Sequence, residues 1–323
     1  MSKLDGFLRG IRTAAISGHL NPDGDCVGSC LGMLSYINDN YPEIEAEVFL
    51  QNPGPAFAFL KGIDRIRTAP EKEQHFDLLI LLDISDIGRV KEGHALIPQS
   101  GKVLCIDHHA TNDGHGCDYF FNEPQASSAC EVLCRMMDPE KISYDCAQAL
   151  YTGIVHDTGV FRYSCTSPET MRIAGMLMSR GIPFTDIITD SFYKKSHAQN
   201  VMMGRAVASS ELFFDGKLVF AAVPRRERFE LGLSTKELDG IVNQLTNTNG
   251  VEVSAFLYEL DGGNEFKISL RSWKYVDVSA VCAAFGGGGH VRAAGCLIRG
   301  TLEEVKSRLL AKIEKALEEQ GQQ

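Results

Sequence analysis

The chain has 323 residues, a formal net charge of −10 and a hydrophobic fraction of 44%. At about 150 residues per domain, this length predicts two domains, and the composition is that of a globular rather than a disordered protein. The acidic balance argues against a protein that coats duplex nucleic acid. We find no apolar run near the roughly 20 residues of a membrane span and no secretory signal. We therefore predict a cytoplasmic protein with no membrane partner.

The net charge is unevenly distributed along the chain. Residues 1–187 hold 15 basic and 25 acidic residues, whereas residues 188–323 hold 17 of each. All of the net acidity therefore belongs to the first part of the chain.

The first 187 residues alternate short apolar runs with helical patterns. Continuous apolar runs are typical of strands that are covered on both faces, and strands separated by helices favour a parallel sheet. The predicted strands are residues 13–18, 45–50, 76–82 and 102–106, and the predicted helices are residues 26–37, 127–137, 147–155 and 168–180.

The rest of the chain is richer in strand patterns. Residues 188–209 are predicted to be a helical connector, followed by strands at 211–214, 217–223, 251–260 and 265–271 and an amphipathic helix that starts at the capping residue Thr301. The predicted fold class is thus α/β, with a doubly wound parallel sheet (1–187) joined by that connector to a smaller α/β domain with a mixed sheet (210–323).

The ten cysteines are scattered and form no CxxC pair. Cys26 and Cys30, like Cys130 and Cys134, are four residues apart, which suits small buried residues on one helix face. A zinc site built on thiolates is the alternative.

Aspartate and histidine recur at the ends of predicted elements in the first domain. They form four segments: Gly18–Asp25, Leu82–Asp86, Cys105–His109 and Val155–Gly159. Because ligands bind beyond the carboxyl ends of parallel strands, and three of the segments lie there, we expect their side chains to converge. Alone, Asp23 or Asp86 could instead be a cap or turn residue, and His75, His94, His115, His156 and His197 could each be an ordinary hydrogen-bonded histidine.

Clustered carboxylates repel one another and need compensating positive charge. Oxygen and imidazole ligands favour Mn²⁺, Mg²⁺ or Co²⁺, and the cluster has more ligands than one ion requires. Two metal ions bridged by a carboxylate would suit phosphoryl chemistry.

The order of these segments resembles the four motifs of the DHH phosphoesterase superfamily. The matching residues are His-x-x-x-Asp-x-Asp from His19, Asp83, Asp107-His108-His109, and Asp157-Thr-Gly. In the second part, Ser269-Leu-Arg271-Ser272, Asp277-Val-Ser279 and Phe285-Gly-Gly-Gly-Gly-His290 are similar to the DHHA1 domain. The whole chain resembles the nanoRNase/pAp-phosphatase family.

The resemblance implies a role for each matching residue. His19 and Asp23 would hold one Mn²⁺, the second would be held by Asp25, His108 and Asp157, and Asp83 would bridge the pair. Asp107 would orient an imidazole, and His109 would contact the scissile phosphate or protonate the leaving oxygen. His156 departs from the family pattern, which more often has a small or hydroxyl residue beside the last aspartate.

The second domain carries candidate substrate-binding residues. The glycine run can bring backbone amides close to an anion, and Arg271 and His290 can add charge-assisted hydrogen bonds to phosphate. A flexible turn is the structural alternative for the glycines. The full set of candidates is Arg271, Ser272, Gly287, Gly288, Gly289 and His290. The basic cluster Arg225-Arg226-Glu227-Arg228 favours a solvated surface strip over an RNA contact.

The resulting hypothesis is a Mn²⁺-dependent phosphoesterase with Mg²⁺ or Co²⁺ as substitutes. Its expected substrates are short single-stranded oligoribonucleotides and 3′-phosphoadenosine 5′-phosphate (pAp), not duplexes. Hydrolysis of cyclic or linear dinucleotides is the first alternative, and a manganese pyrophosphatase is disfavoured by Gly286–His290. A nucleotide-binding sensor without catalysis is the remote alternative. The sequence leaves a homodimer open.

Overall fold

A computed structural model describes residues 2–70, 74–85 and 95–320. Asp86 and His94 lie outside the described residues. The chain divides into two compact units, residues 1–194 and 195–323. The finer division into 1–187, 188–209 and 210–323 stays a prediction.

The first unit is built on a five-stranded parallel sheet in the order β2-β1-β3-β4-β5. Four strands lie where the apolar runs predicted them, and the short edge strand β5 was not predicted. The strands are β1 (Thr13–Ser17), β2 (Glu45–Phe49), β3 (Phe76–Leu82), β4 (Ser100–Asp107) and β5 (Tyr119–Asn122). The predicted parallel α/β class is confirmed.

Capping side chains set the starts of the helices around this sheet. Asp23 accepts hydrogen bonds from the amides of Asp25 and Cys26 at the start of α2 (Gly24–Asn40). Ser128 and Ser143 cap α3 (Ala129–Met136) and α4 (Tyr144–Asp157) in the same way. The described helices are α1 (Lys3–Leu8), α2 (Gly24–Asn40), α3 (Ala129–Met136), α4 (Tyr144–Asp157), α5 (Pro168–Met178) and α6 (Phe184–Ile187), followed by a π-helix (Ile188–Tyr193).

Helices α2 and α4 lie very close together because glycines face the contact. A Cβ atom on Gly28 would lie 2.5 Å from the carbonyl oxygen of Ala149, and one on Gly153 would lie 2.7 Å from a carboxylate oxygen of Asp25. Gly32 makes a similar close contact with Leu150. This packing brings the start of α2 beside the end of α4, where Asp25 and Asp157 are located.

The second unit contains a six-stranded mixed sheet in the order β10-β11-β9-β8-β7-β6, as the fold class predicted. Only β7 and β8 are parallel, and the other neighbours are antiparallel. The strands are β6 (Glu211–Phe213), β7 (Leu218–Val223), β8 (Val253–Glu259), β9 (Glu265–Ser272), β10 (Gly288–His290) and β11 (Ala293–Arg299).

Helices cover one face of this sheet and part of the other. Apolar residues of β9 and β11, such as Ile268 and Cys296, join a core with Val305 and Leu309 of α11. On the opposite face, Phe256 of β8 packs with α7 and α9 residues. The helices are α7 (His197–Ala208), α8 (Arg225–Glu230), α9 (Ile241–Thr246), α10 (Val278–Ala283) and α11 (Leu302–Gln320). No helix among the described residues has the length and apolar character needed to cross a membrane.

The prediction for the basic cluster was wrong in part. Arg228 is not on a surface strip, because its side chain is only 2% exposed and pairs with Asp261. Arg225 donates to the carbonyl oxygen of Asp261, and Arg226 pairs with Glu230. The cluster therefore mainly holds its own unit together.

Candidate metal centre and phosphate-binding residues

The carboxyl ends of the central strands bring the predicted acids together. His19 follows β1, Asp83 follows β3, and Asp107 is the last residue of β4. Asp83 has a φ of +54°, in the left-handed region that aspartate tolerates better than most residues. This backbone turn directs its carboxylate toward the imidazoles of the neighbouring segments.

Asp83 lies at the middle of the cluster. Its Oδ2 is 3.4 Å from Nε2 of His19, and its Oδ1 is 3.5 Å from Nε2 of His108 and 3.6 Å from Nδ1 of His109. Burial opposes ionisation of Asp83, but hydrogen bonds from His108 and His19 outweigh it and hold its pKa well below the ordinary value. Asp83 is therefore an anion shared by three imidazoles.

A second group joins α2, β4 and α4. Nε2 of His108 is 3.2 Å from Asp157 and 3.9 Å from Asp25. Burial, reinforced by Asp83, raises the pKa of Asp157 to about 6 and that of Asp25 well above its usual range. The structure thus places Asp25, His108 and Asp157 around one point, with ligand atoms within 4.8 Å of one another.

The start of helix α3 holds the carboxylate of Asp25. Its Oδ2 accepts a hydrogen bond of 2.6 Å from the amide of Ala129, and its Oδ1 accepts one of 3.0 Å from the amide of Cys130. Because the N-terminus of a helix carries unpaired amides and partial positive charge, it fixes this buried carboxylate. The sequence did not reveal this partner.

Asp23 occupies a different position from the other acids. Its Oδ1 caps α2 at 3.1 Å from two amides and lies 3.6 Å from Nε2 of His19. Its side chain is 57% exposed. The cap that the sequence offered as an alternative is therefore present, and a metal-binding role for Asp23 stays a prediction.

Asp107 orients His109. Its Oδ1 lies 2.9 Å from Nδ1 of His109, and its Oδ2 accepts a hydrogen bond of 2.8 Å from the amide group of Asn112. Asn112 also donates to the carbonyl oxygen of Ile84, beside Asp83. Sequence reasoning missed Asn112, since an asparagine five residues after Asp107 is an ordinary loop residue without the fold.

Two further residues lie at this site. The buried Cys26 thiol lies beside His19 and Asp83, and the possible ligand atoms of these three residues are within 4.8 Å of one another. Burial raises the pKa of the Cys26 thiol well above the usual value, so it stays protonated. His156 packs on Gly24, and its Nε2 is 3.0 Å from Oγ of Ser191 in the π-helix. His156 therefore joins the end of α4 to the last element of the first unit.

The donor set fits divalent cations. Nε2 of His108 is buried and faces the carboxylates of Asp157, Asp83 and Asp25 at 3.2, 3.5 and 3.9 Å. Nδ1 of His19 lies 2.8 Å from the Leu20 carbonyl oxygen, which leaves Nε2 facing Asp23 and Asp83. Burial disfavours the imidazolium forms, yet the carboxylates raise the pKa of His19 to about 11 and that of His108 to about 12. The cluster attracts positive charge, which divalent cations on oxygen and imidazole ligands would supply.

The second unit carries the predicted phosphate-binding residues on β9, on β10 and immediately before β10. Arg271 is half-buried, Ser272 is buried and His290 is exposed. Gly287 and Gly289 have no space for a side chain. A Cβ atom on Gly287 would lie 2.7 Å from the Cα atom of Cys296, and one on Gly289 would lie 2.5 Å from the carbonyl oxygen of Ala293. At Gly288 a Cβ atom would meet open space. The run is thus partly a paired strand rather than a flexible turn.

Comparison with known proteins identifies both units. The DHH family N-terminal domain matches residues 13–154, and the DHHA1 domain matches residues 215–319. The bifunctional oligoribonuclease and PAP phosphatase NrnA of Thermus thermophilus is 29% identical over 309 residues, which cover 95% of this chain and 90% of that protein. The cyclic-di-AMP phosphodiesterase PdeA of Listeria monocytogenes is 26% identical, covering 93% of this chain and 47% of that protein.

A solved structure agrees over nearly the full length. A crystal structure of an exopolyphosphatase-related protein from Bacteroides fragilis superposes with a TM-score of 0.86 at 25% identity, covering 98% of this chain and 94% of that chain. The resemblance found in the sequence motifs is confirmed.

Proposed function

Because this chain belongs to the DHH/DHHA1 phosphoesterases, a group of hydrolytic enzymes, we propose that it hydrolyses short oligoribonucleotides to mononucleotides and removes the 3′-phosphate of pAp. The observation that carries this proposal is the convergence of Asp25, Asp83 and Asp157 on His108. Relatives named oligoribonuclease and PAP phosphatase supply the substrate class.

The metal assignment is part of the proposal. His19 and Asp23 would hold one Mn²⁺, Asp25, His108 and Asp157 the other, and Asp83 would bridge them, with Mg²⁺ or Co²⁺ as substitutes. Bound ions of this kind polarise a phosphoryl group and generate hydroxide from water. The grouping of Asp25, His108 and Asp157 within 4.8 Å, and the contacts of Asp83 with both His19 and His108, support it.

His109 is the proposed proton donor. Burial disfavours its protonated form, but Asp107 at 2.9 Å from Nδ1 raises its pKa above the ordinary value. Asp107 keeps a proton on Nδ1 and orients the ring, so that Nε2 can donate to a phosphate oxygen or to the leaving ribose oxygen. Arg271, Ser272, His290 and the amides of Gly287, Gly288 and Gly289 would hold the nucleotide.

A panel of substrates tests the proposal. With Mn²⁺, we expect mononucleotides from di- to pentaribonucleotides and AMP from pAp, while EDTA stops both reactions and added Mn²⁺ restores them. A duplex RNA of the same composition is the control and should remain intact. No turnover of any of these compounds would refute the proposal.

A second candidate is hydrolysis of cyclic or linear dinucleotides. The likeness to the cyclic-di-AMP phosphodiesterase of Listeria monocytogenes favours it. The same panel separates the two candidate functions if it includes cyclic di-AMP and its linear product. The substrate with the larger kcat/KM then identifies the preferred reaction. Binding of these compounds without hydrolysis would instead support a sensor.

A further inference from the structure

Along β9, polar residues on one face of the sheet alternate with core residues on the other face. Lys267, Ser269 and Arg271 of β9 are half-buried, while Ile268 and Leu270 between them belong to the core under α11. Residues directly opposite on neighbouring antiparallel strands share a face. Leu297 lies opposite Lys267, and Gly295 lies opposite Ser269. Since Leu297 is 49% exposed, this part of the face is accessible to solvent.

Lys267 lies along this face instead of extending away from it. Its Nζ is 3.4 Å and its Cε 3.6 Å from the point where a Cβ atom of Gly295 would be. The ammonium group therefore lies over a glycine, beside the position of Ser269. Among the described residues, Lys267 makes no ion pair with a carboxylate. This half-buried ammonium group, which has no acidic partner in the described part of the chain, can bind an anionic ligand.

Arg271 brings a second cation to the same face. Its Cα atom is about 13 Å from that of Lys267 along the strand, at about 3.3 Å per residue. The side chain of Lys267 shortens this separation because it reaches over Gly295, opposite Ser269 and toward Arg271. The guanidinium group of Arg271 donates to the carbonyl oxygen of Leu270 at 3.0 Å, so it stays close to β9.

The combined charge of Lys267 and Arg271 favours a phosphomonoester over a phosphodiester. Two cations together match a terminal phosphomonoester, which carries a charge of about −1.5 to −2 at pH 7. A phosphodiester within a chain carries a single negative charge. Because Gly295 has no side chain, the ammonium group of Lys267 can lie over it, on the side of Lys267 toward Arg271.

We propose that Lys267 and Arg271 together bind the terminal phosphomonoester of the substrate, and that Lys267 is a specificity-determining residue. This inference rests on the proposed function, because it concerns how that reaction selects substrates. Lys267 lies outside the motifs that the sequence offered for the second unit. In a phosphorylated dinucleotide or in pAp, the selected group is the 5′-phosphate.

A pair of substrates isolates this contact. pAp and 3′-AMP carry the same 3′-phosphate and differ only in the 5′-phosphate. We expect the wild-type protein to prefer pAp, and Lys267→Ala to lower kcat/KM for pAp by about 10-fold to 100-fold, the value of one charge-assisted hydrogen bond. kcat/KM for 3′-AMP should stay unchanged, and Lys267→Arg should keep the preference for pAp.

Arg299→Ala is the matched control. Arg299 is on β11 and already pairs with Glu265 at 2.8 Å, so its loss should leave the ratio of the two kcat/KM values unchanged. An equal fall for both substrates in Lys267→Ala, or an unchanged ratio, would overturn the inference.

Binding measurements keep the two proposals separable. Calorimetry with AMP and adenosine should give tighter binding of AMP to the wild-type protein, and Lys267→Ala should remove most of that difference. If nothing is hydrolysed yet AMP still binds through Lys267, the proposed function fails and the binding site stands. If hydrolysis occurs but Lys267→Ala does not alter the AMP preference, only the binding site is refuted.

Discussion

The two units hold their candidate functional residues in opposite ways. In the first unit Asp25, Asp83 and Asp107 are at most 2% exposed, and backbone amides or other side chains fix each carboxylate. In the second unit Arg271 is half-buried and His290 is exposed on a strand at the edge of the sheet. Groups that bind metal and activate water need a fixed geometry before the substrate arrives, whereas groups that grip a flexible nucleotide can adapt to it.

The largest expected effect is in the first unit. Asp83→Asn should lower kcat by several orders of magnitude, because the neutral amide removes the charge that three imidazoles share. Asparagine tolerates the left-handed backbone at this position, so the fold should persist. Steady-state kinetics and metal content should be measured together, with circular dichroism as the control for folding. Near-normal activity with full metal content would contradict the central role of Asp83.

A smaller effect of another kind is expected in the second unit. Arg271→Ala should raise KM for pAp about 10-fold, in line with the loss of one charged hydrogen bond, and leave kcat nearly unchanged. Initial-rate measurements over a range of pAp concentrations separate the two constants. If kcat falls as strongly as in Asp83→Asn, then the second unit takes part in the chemistry and the contrast between the units is wrong.

The smallest effect on activity is expected from a fixed carboxylate far from the candidate site. Asp5 is 5% exposed and accepts hydrogen bonds from Tyr36 at 3.0 Å, Tyr41 at 2.6 Å and Lys141 at 3.1 Å. Burial opposes its ionisation, but Tyr41, Ser2 and Lys141 outweigh it and hold its pKa well below the usual value.

Asp5→Asn should therefore change stability and not kcat. We expect the free energy of unfolding at pH 7 to fall by about 2 kcal/mol, since a charged hydrogen-bond acceptor is lost. Because the folded pKa is lower than the unfolded value of about 3.9, the stabilisation is complete above that pH and is lost as the pH falls. Urea unfolding at pH 7, 4, 3 and 2 should show a nearly constant difference from wild type down to about pH 4 and a shrinking difference below it. A difference that stays constant down to about pH 2 would mean that Asp5 acts by shape alone.

The sequence was sufficient for the central strands and for the convergence of the acids. Apolar runs fixed β1, β3 and β4, and an aspartate or histidine at the end of each must meet its neighbours at one edge of a parallel sheet. Local periodicity and the rules of sheet topology carry that information.

The contacts that orient those acids could not be predicted from the sequence. The amides of Ala129 and Cys130 reach Asp25 from more than 100 positions away, and Asn112 reaches Ile84 across another loop. Such contacts depend on three-dimensional distance, which residue spacing does not encode. The same limit explains Arg228, whose charged type indicated a surface position although Asp261 and the Leu233 carbonyl hold it in the interior.

The glycines between α2 and α4 have a consequence for how this protein can diverge. Gly28 and Gly153 carry no chemistry, yet a single added methyl group at either would push apart the helices that bring Asp25 beside Asp157. A lineage could thus lose the reaction while every acid and imidazole remains in its sequence. Inheritance of the catalytic motifs alone would not guarantee inheritance of the activity. Gly28 and Gly153 are the positions to inspect when a homologue with intact motifs has lost its activity.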